Sequence, residues 1–271
     1  NGTPYPRFAI ESQLDLAARD LGLDPAAIRA VNLLDEGDVT VNGLQITSCG
    51  IRQCLEEATR ISGFNGKYGR LPFGRGVGMG LGCFISGAGG SIVRGDLPHS
   101  AATIRVDEDG KRVWLFTGAP EIGQGSDTIL CQIAAEELGI PYEAVSIISS
   151  DSAVSPKDLG AYASRITFMA GNAVRFAARD VREKLADFWR EAHGSNEAPV
   201  FRRGQVMGEG TESTFHDLAA ACMRSKGPLA GQGAYSPPSA APGLHGAHKG
   251  ASVDTSPAYS FGSAVCEVSV D

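Results

Sequence analysis

Residues 121–140 read EIGQGSDTILCQIAAEELGI, so Gly123-Gln124-Gly125 stand directly before a run with helical spacing. A helix start carries unpaired N–H groups and a partial positive charge. Glycines strip side chains from such an end and let an anion approach the backbone. Ser126 and Thr128 add hydroxyls, and the Gln124 amide offers both a donor and an acceptor. The Gly-Lys-Ser/Thr ending of a phosphate-loop NTPase is missing, and the glycine spacing is wrong for a dinucleotide fingerprint. Taken alone, such a turn is more often structural than ligand-binding. A second stretch shifts that balance. GAYASRITFMAGNAV (160–174) again brings a small residue and a serine to a helix start, with Arg165 beside them. A serine N-cap explains it in isolation; two starts of one kind point to a shared elongated ligand.

The rest of the chain limits what that ligand is. Its 271 residues suit one large domain or two small ones. A net charge of −7 without any Lys/Arg run argues against nucleic acid, and no apolar run reaches membrane-spanning length. Of the six cysteines only Cys49 and Cys54 lie close together, short of the ligand set of a zinc site or an iron–sulfur cluster. Cys131 and Cys266 fall in apolar periodic segments and read as small core residues, and free thiols suit a reducing cytoplasm. There is no initiator methionine and no signal-peptide pattern, and the chain ends on the strand-like FGSAVCEVSVD, so a fragment of a longer polypeptide is expected.

The pattern along the chain predicts an α+β fold of mixed sheets and packed helices. Helices are expected over 8–22, from Asp24-Pro25 to Asn32, and over about 50–61 with Ser48 as cap and Gly63 as stop. A boundary is placed near residue 65, separating a mainly helical part (1–65) from a second domain (66–271). VGMGLGCFISG reads as a strand with close backbone approach, and SAATIRVDEDGKRVWLFTG as a hairpin. A helix over 126–138, a strand over 143–149 and a long helix from Ser164 to about Glu191 follow. Residues 194–257 read as irregular, and 258–271 as a strand.

GAPEIGQGSDTILCQIAAEELGI followed by DLGAYASRITFMAGNAV closely resembles the molybdopterin-binding large subunit of the xanthine oxidase, or molybdenum hydroxylase, family. The opening RFAIESQLDLAARDLGLDPAAIRAVNLL and the closing YSFGSAVCEVSVD are similar to segments of the same subunit in the same order. Within the family, IGQGSDT and YASRITFMAGNA are most similar to the α subunit of 4-hydroxybenzoyl-CoA reductase. The resemblance implies part of a two-domain architecture around a molybdopterin, extended as a cytosine dinucleotide, that carries molybdenum. It implies that Gly123, Gln124, Gly125 and Ser126 cradle the phosphate region, and that Ala163 lies against the metal centre with Ser164 and Arg165 beside it. Tyr162 would adjoin an aromatic or CoA-thioester substrate. It further implies the remainder of the subunit, an iron–sulfur subunit and an FAD subunit as partners. The family's base is a glutamate in a Gly-x-Gly-Glu motif; this sequence has no such motif, so no catalytic residue is assigned and the chain alone is expected to be inactive. A phosphate-binding module without redox chemistry, an oxidative hydroxylase of a heteroaromatic or aldehyde, and a non-catalytic assembly protein are the competing readings.

Other residues have plainer explanations. Glu121 reads as a turn carboxylate, His245 and His248 as loop histidines, and Trp114 and Trp189 as packing residues; Arg75 and Arg94 are equally divided between surface and phosphate roles.

Overall fold

The computed structural model describes residues 4–41, 46–86, 98–194, 196–208, 210–236, 246–248, 251–253 and 258–271. In chain order the elements begin with helices α1 (Pro4–Asp20), α2 (Pro25–Val31), α3 (Ile51–Ser62) and the short α4 (Phe64–Lys67), then strand β1 (Arg75–Ser86). There follow β2 (Ser100–Val106), β3 (Val113–Thr117), α5 (Ser126–Leu138), β4 (Val145–Ser149) and α6 (Ile166–His193). The chain continues through β5 (Val200–Arg202), β6 (Gln205–Gly208), β7 (Thr211–Thr214), α7 (Phe215–Lys226) and β8 (Ala230–Tyr235). It closes with β9 (Gly246–His248), β10 (Ala251–Val253) and β11 (Ala258–Ser269). Among the described residues no helix is long and apolar enough to cross a membrane.

Two compact units form, one from Asn1–Ser91 with Ser239–Asp271 and the other from Ile92–Pro238. The division does not fall near residue 65. β1 pairs antiparallel with β11 from Arg75↔Ser269 to Ser86↔Ala258, and Met79 of β1 is buried with Leu55 of α3 and Phe64 of α4. Burial of this apolar cluster joins both strands to the N-terminal helices. The α2 start is capped as its sequence implies: Asp24 accepts from Ala26 N at 2.7 Å and Ala27 N at 3.2 Å. The α3 start differs from expectation, since its N-cap is Gly50 rather than Ser48, while Gly63 ends it in the left-handed conformation. Arg29 is buried between Glu11 at 2.8 Å and Asp15 at 2.7 Å, and Glu11 also accepts from Leu81 N at 3.1 Å, so one charge cluster joins α1, α2 and β1. Cys266 is exposed on β11, contrary to its core reading, because strand alternation turns it away from Met79 and Leu55.

In the second unit the sheet order is β4-β3-β2-β8. β2 is antiparallel to β3 and β8, whereas β3 and β4 are parallel, so α5 is the crossover helix between them. Leu130, Ala134 and Leu138 of α5 share a buried core with Ile104, Val113 and Leu115 of the sheet and with Ala170, Val174 and Val181 of α6. α6 lies directly on β8: a Cβ on Gly233 would collide with the carbonyl of Ala173 and the amide of Ala177. Where an irregular stretch was expected over 194–257, the described residues hold a three-stranded sheet β5-β6-β7, helix α7 and strand β8. The α7 signal was present in the sequence: Thr214 caps Asp217 N at 3.1 Å, and Phe215, Leu218, Ala219 and Cys222 form the buried face. Trp189 is buried, and Trp114 donates its indole N–H to Asp107 at 3.0 Å. His245 and Arg94 lie outside the described residues, and Arg75 pairs with Glu267 at 3.3 Å.

Candidate functional site

Both glycine-containing loops leave the same end of the sheet. Residues 118–125 follow the carboxyl end of β3, and residues 150–165 follow the carboxyl end of its parallel neighbour β4. The mouths of such strands are where open α/β sheets receive ligands. The loops touch: a Cβ on Gly118 would stand 2.9 Å from Asp158 N, and Ser150 N donates to Thr117 O at 2.9 Å. Ser149 Oγ also donates to Asp127 Oδ2 at 3.1 Å.

The first loop is organised around Glu121. Its Oε1 accepts from Gly123 N at 2.6 Å and Gly125 N at 3.1 Å, and its Oε2 from Asp127 N at 3.1 Å and Ser126 Oγ at 3.2 Å. The backbone N–H of Asp127 foremost, then those of Gly125 and Gly123 and the Ser126 hydroxyl, hold the carboxyl of the exposed Glu121 down to about 2 against its loss of hydration. An internal carboxylate thus occupies the anion position at the start of α5. Gln124 is folded inward as well, its Oε1 accepting from Ile122 N at 2.6 Å and its Nε2 donating to Pro120 O and Ser126 Oγ, both at 2.9 Å. Ser126 is buried beneath them. Gly123 at φ 96° and Gly125 at φ 78° need no side chain and have open space where a Cβ would stand. The outward surface of this loop is bare at Gly123 and Gly125, beside the exposed side chain of Ile122.

The second loop is strained. Ala163 at φ 48° and Ser164 at φ 50° are consecutive non-glycine residues in the left-handed region, a placement that clusters at functional sites. α6 then starts without a side-chain cap, and the N–H groups of Ile166, Thr167 and Phe168 have no partner among the described residues. Arg165 is fully buried in an ion pair with Asp158 at 2.7 Å, and its guanidinium carbon lies 5.6 Å from the Tyr162 ring centroid. Three buried polar atoms in this region lack partners: Tyr162 Oη, Arg165 Nε and His99 Nδ1. Burial first, then the Arg165 charge, pushes the His99 imidazole below its ordinary range, while Asp158 opposes the shift. Asp158, Ser100 and His99 carry no local sequence signal for this role, since only the fold brings them to Arg165.

The site therefore gathers Gly123, Gln124, Gly125, Ser126, Tyr162, Ala163, Ser164 and Arg165 on two adjoining loops. Gly123, Gln124, Gly125 and Ser164 are exposed, Tyr162 and Ala163 are half-buried, and Ser126 and Arg165 are buried.

Residues 55–271 match the family described as Molybdopterin cofactor-binding domain. The chain is 37% identical over 189 residues to the putative xanthine dehydrogenase molybdenum-binding subunit XdhA of Escherichia coli (strain K12), covering 68% of this chain and 25% of that protein. It is 31% identical over 238 residues to the 6-hydroxypseudooxynicotine dehydrogenase complex subunit gamma of Paenarthrobacter nicotinovorans, covering 79% of this chain and 28% of that one. In fold it matches the reconstituted CO dehydrogenase from Oligotropha carboxidovorans with a TM-score of 0.73 at 24% identity, over 96% of this chain and 34% of that chain. The chain spans about a quarter of the length of the two curated relatives. With the family model matched across residues 55–271, the chain belongs to the molybdopterin cofactor-binding domain family.

Proposed function

We propose that this chain is the pterin-holding part of the catalytic subunit of a molybdenum-dependent oxidoreductase. The observation that carries the reading is the pair of adjoining loops at the carboxyl ends of β3 and β4, one bare at Gly123 and Gly125 and the other ending in an uncapped helix start. These residues fit the group: open space over glycine backbone suits a flat ring system, and unpartnered N–H groups at Ile166, Thr167 and Phe168 suit a phosphate or another anionic end. Gly123, Gln124, Gly125 and Ser126 form one side of the holder; Ala163 and Ser164 form the other. Tyr162, whose hydroxyl lacks a partner, adjoins the substrate. When bound, the cofactor supplies the two-electron redox chemistry; the chain binds it and fixes its orientation. We take the group to be the cytosine dinucleotide form with molybdenum, and the partners to be the remainder of the same subunit, an iron–sulfur subunit and an FAD subunit in the cytoplasm. The general base lies on that remainder.

The substrate reading we favour is an aromatic acyl-CoA, as in 4-hydroxybenzoyl-CoA reductase; it rests on the IGQGSDT and YASRITFMAGNA wording. A second reading, oxidative hydroxylation of a heteroaromatic ring, draws on the names of two relatives, a putative xanthine dehydrogenase subunit and a 6-hydroxypseudooxynicotine dehydrogenase subunit. The test is metal and pterin analysis of the full-length subunit purified from its source, followed by assays with 4-hydroxybenzoyl-CoA and with xanthine. The expected result is molybdenum and an extractable pterin in near-equal amounts. A folded subunit carrying neither would overturn the proposal, and turnover of xanthine alone would select the second substrate reading.

A further inference from the structure

We infer that Arg165 is a positioning residue: through Asp158 it clamps the 158–165 loop so that Ala163 and Ser164 hold their left-handed conformation against the cofactor. The inference rests on the proposed function above and replaces the expectation that Arg165 contacts the cofactor directly. Asp158 Oδ1 accepts from Gly160 N and from Arg165 Nη1, both at 2.7 Å. Nη1 donates again to Gly160 O at 2.8 Å, and Arg165 N donates to Tyr162 O at 3.1 Å. The loop is thereby closed on itself from one end to the other. Nη2 ties the closed loop to the start of β2, donating to His99 O and to Ser100 Oγ, both at 2.7 Å, while the Ser100 hydroxyl donates to Asp158 Oδ2.

Both side chains of the ion pair are fully buried. A buried pair is a poor source of stability by itself, because desolvation opposes the attraction of the charges. What this one supplies is a fixed conformation. Two consecutive left-handed residues with side chains persist only where their surroundings over-determine them, and the guanidinium, with its Asp158 partner, is bonded both to Gly160 before the pair and to the start of β2 behind it. The requirement is for a planar fork with several donors in fixed directions, which lysine does not provide.

The experiment uses the full-length subunit with its partner subunits. Three variants are compared with the parent: Arg165→Lys, Asp158→Asn, and Arg165→Lys combined with Ala163→Gly and Ser164→Gly. The readouts are amide hydrogen exchange across residues 160–165 and molybdenum plus pterin per subunit. Arg165→Lys and Asp158→Asn are each expected to speed exchange in the loop about tenfold or more while strands β2 and β3 stay protected, and to lower cofactor content severalfold. The two glycines, which accept the left-handed region without strain, are expected to restore most of the cofactor in the Arg165→Lys background. Unchanged loop exchange in both single variants overturns the clamp, and so does a cofactor loss that the glycines do not restore. If Arg165→Lys yields no folded protein, Asp158→Asn alone decides by the same exchange criterion. A parent subunit without pterin or molybdenum overturns the functional reading, while loop exchange still decides whether the clamp exists.

Discussion

Ser149 at the end of β4 donates its hydroxyl to Asp127 in the first turn of α5 at 3.1 Å, and this bond ties together the two elements that flank the site loops. Asp127 sits where a negative charge is favoured by the helix start, and its other carboxylate oxygen is buried without a partner. Ser149→Ala removes the hydroxyl donor seen at this carboxylate. The expected cost is about 1–3 kcal/mol, measured as a lower urea midpoint with an unchanged slope. A midpoint equal to that of the parent would show that the bond contributes nothing.

Glu121 makes the first loop sensitive to acid. Its carboxyl is held down to about 2, below the ordinary glutamate value of 4.5, first by the N–H of Asp127 and then by those of Gly125 and Gly123 and the Ser126 hydroxyl. A group whose folded pKa is depressed stabilises the fold above its unfolded pKa and loses that contribution as pH falls through the folded value. The contribution is therefore complete above 4.5 and fades down to about 2. Glu121→Gln is expected to be less stable than the parent at neutral pH, and the difference should shrink as pH falls through that window. Thermal melts of both proteins across the range check this; parallel curves would remove Glu121 from the account.

Sequence reasoning reached the elements whose signals are local. The α5 boundaries, the α6 span, the β2–β3 hairpin and the glycine-rich β1 all follow from periodicity, turn residues and capping. It failed where the deciding partner is distant. Glu121 is not such a case: it read as a turn carboxylate, and its partners Gly123, Gly125, Ser126 and Asp127 all lie within six positions of it. The family resemblance put Arg165 beside the cofactor, yet its guanidinium is bonded to Asp158, seven positions earlier, and to Ser100 of another strand. The grouping of β1 with the N-terminal helices was likewise not legible, since β1 finds its partner in β11 almost at the other end of the chain.

Gly233 measures how closely α6 rests on the sheet. A Cβ there would collide with the Ala173 carbonyl and the Ala177 amide, backbone atoms that cannot rotate away. Gly233→Ala is expected to destabilise the second unit by about 3 kcal/mol or more, at the upper end of ordinary overpacking. Chemical denaturation reads the loss. A change under about 1 kcal/mol would mean that α6 shifts outward freely, against the dense packing expected of a buried helix–sheet contact.

Gln124 is expected to matter for holding the cofactor rather than for the fold. Its amide bonds only to Ile122, Pro120 and Ser126 within its own loop, at an exposed position. Gln124→Ala in the full-length subunit should lower molybdenum content while shifting the thermal midpoint by only a few degrees, about the effect of 1 kcal/mol. Unchanged metal content and turnover would count against its place in the holder.

Ala163 separates the functional reading from ordinary packing. The residue is half-buried and left-handed at φ 48°, so alanine there is already strained. Ala163→Gly should therefore stabilise the loop by roughly 1 kcal/mol, since only glycine takes this conformation without a Cβ penalty. Ala163→Leu keeps the strain and adds bulk. If backbone at this position lies against the cofactor, leucine should displace the group: molybdenum content and turnover fall together, while the thermal midpoint drops by no more than a few degrees. If the position only packs, leucine should cost about 1–3 kcal/mol of stability and leave turnover per folded molecule intact. Measuring metal content, turnover and thermal stability on the same preparation distinguishes the two, and a destabilised variant that is fully loaded and fully active would remove Ala163 from the site.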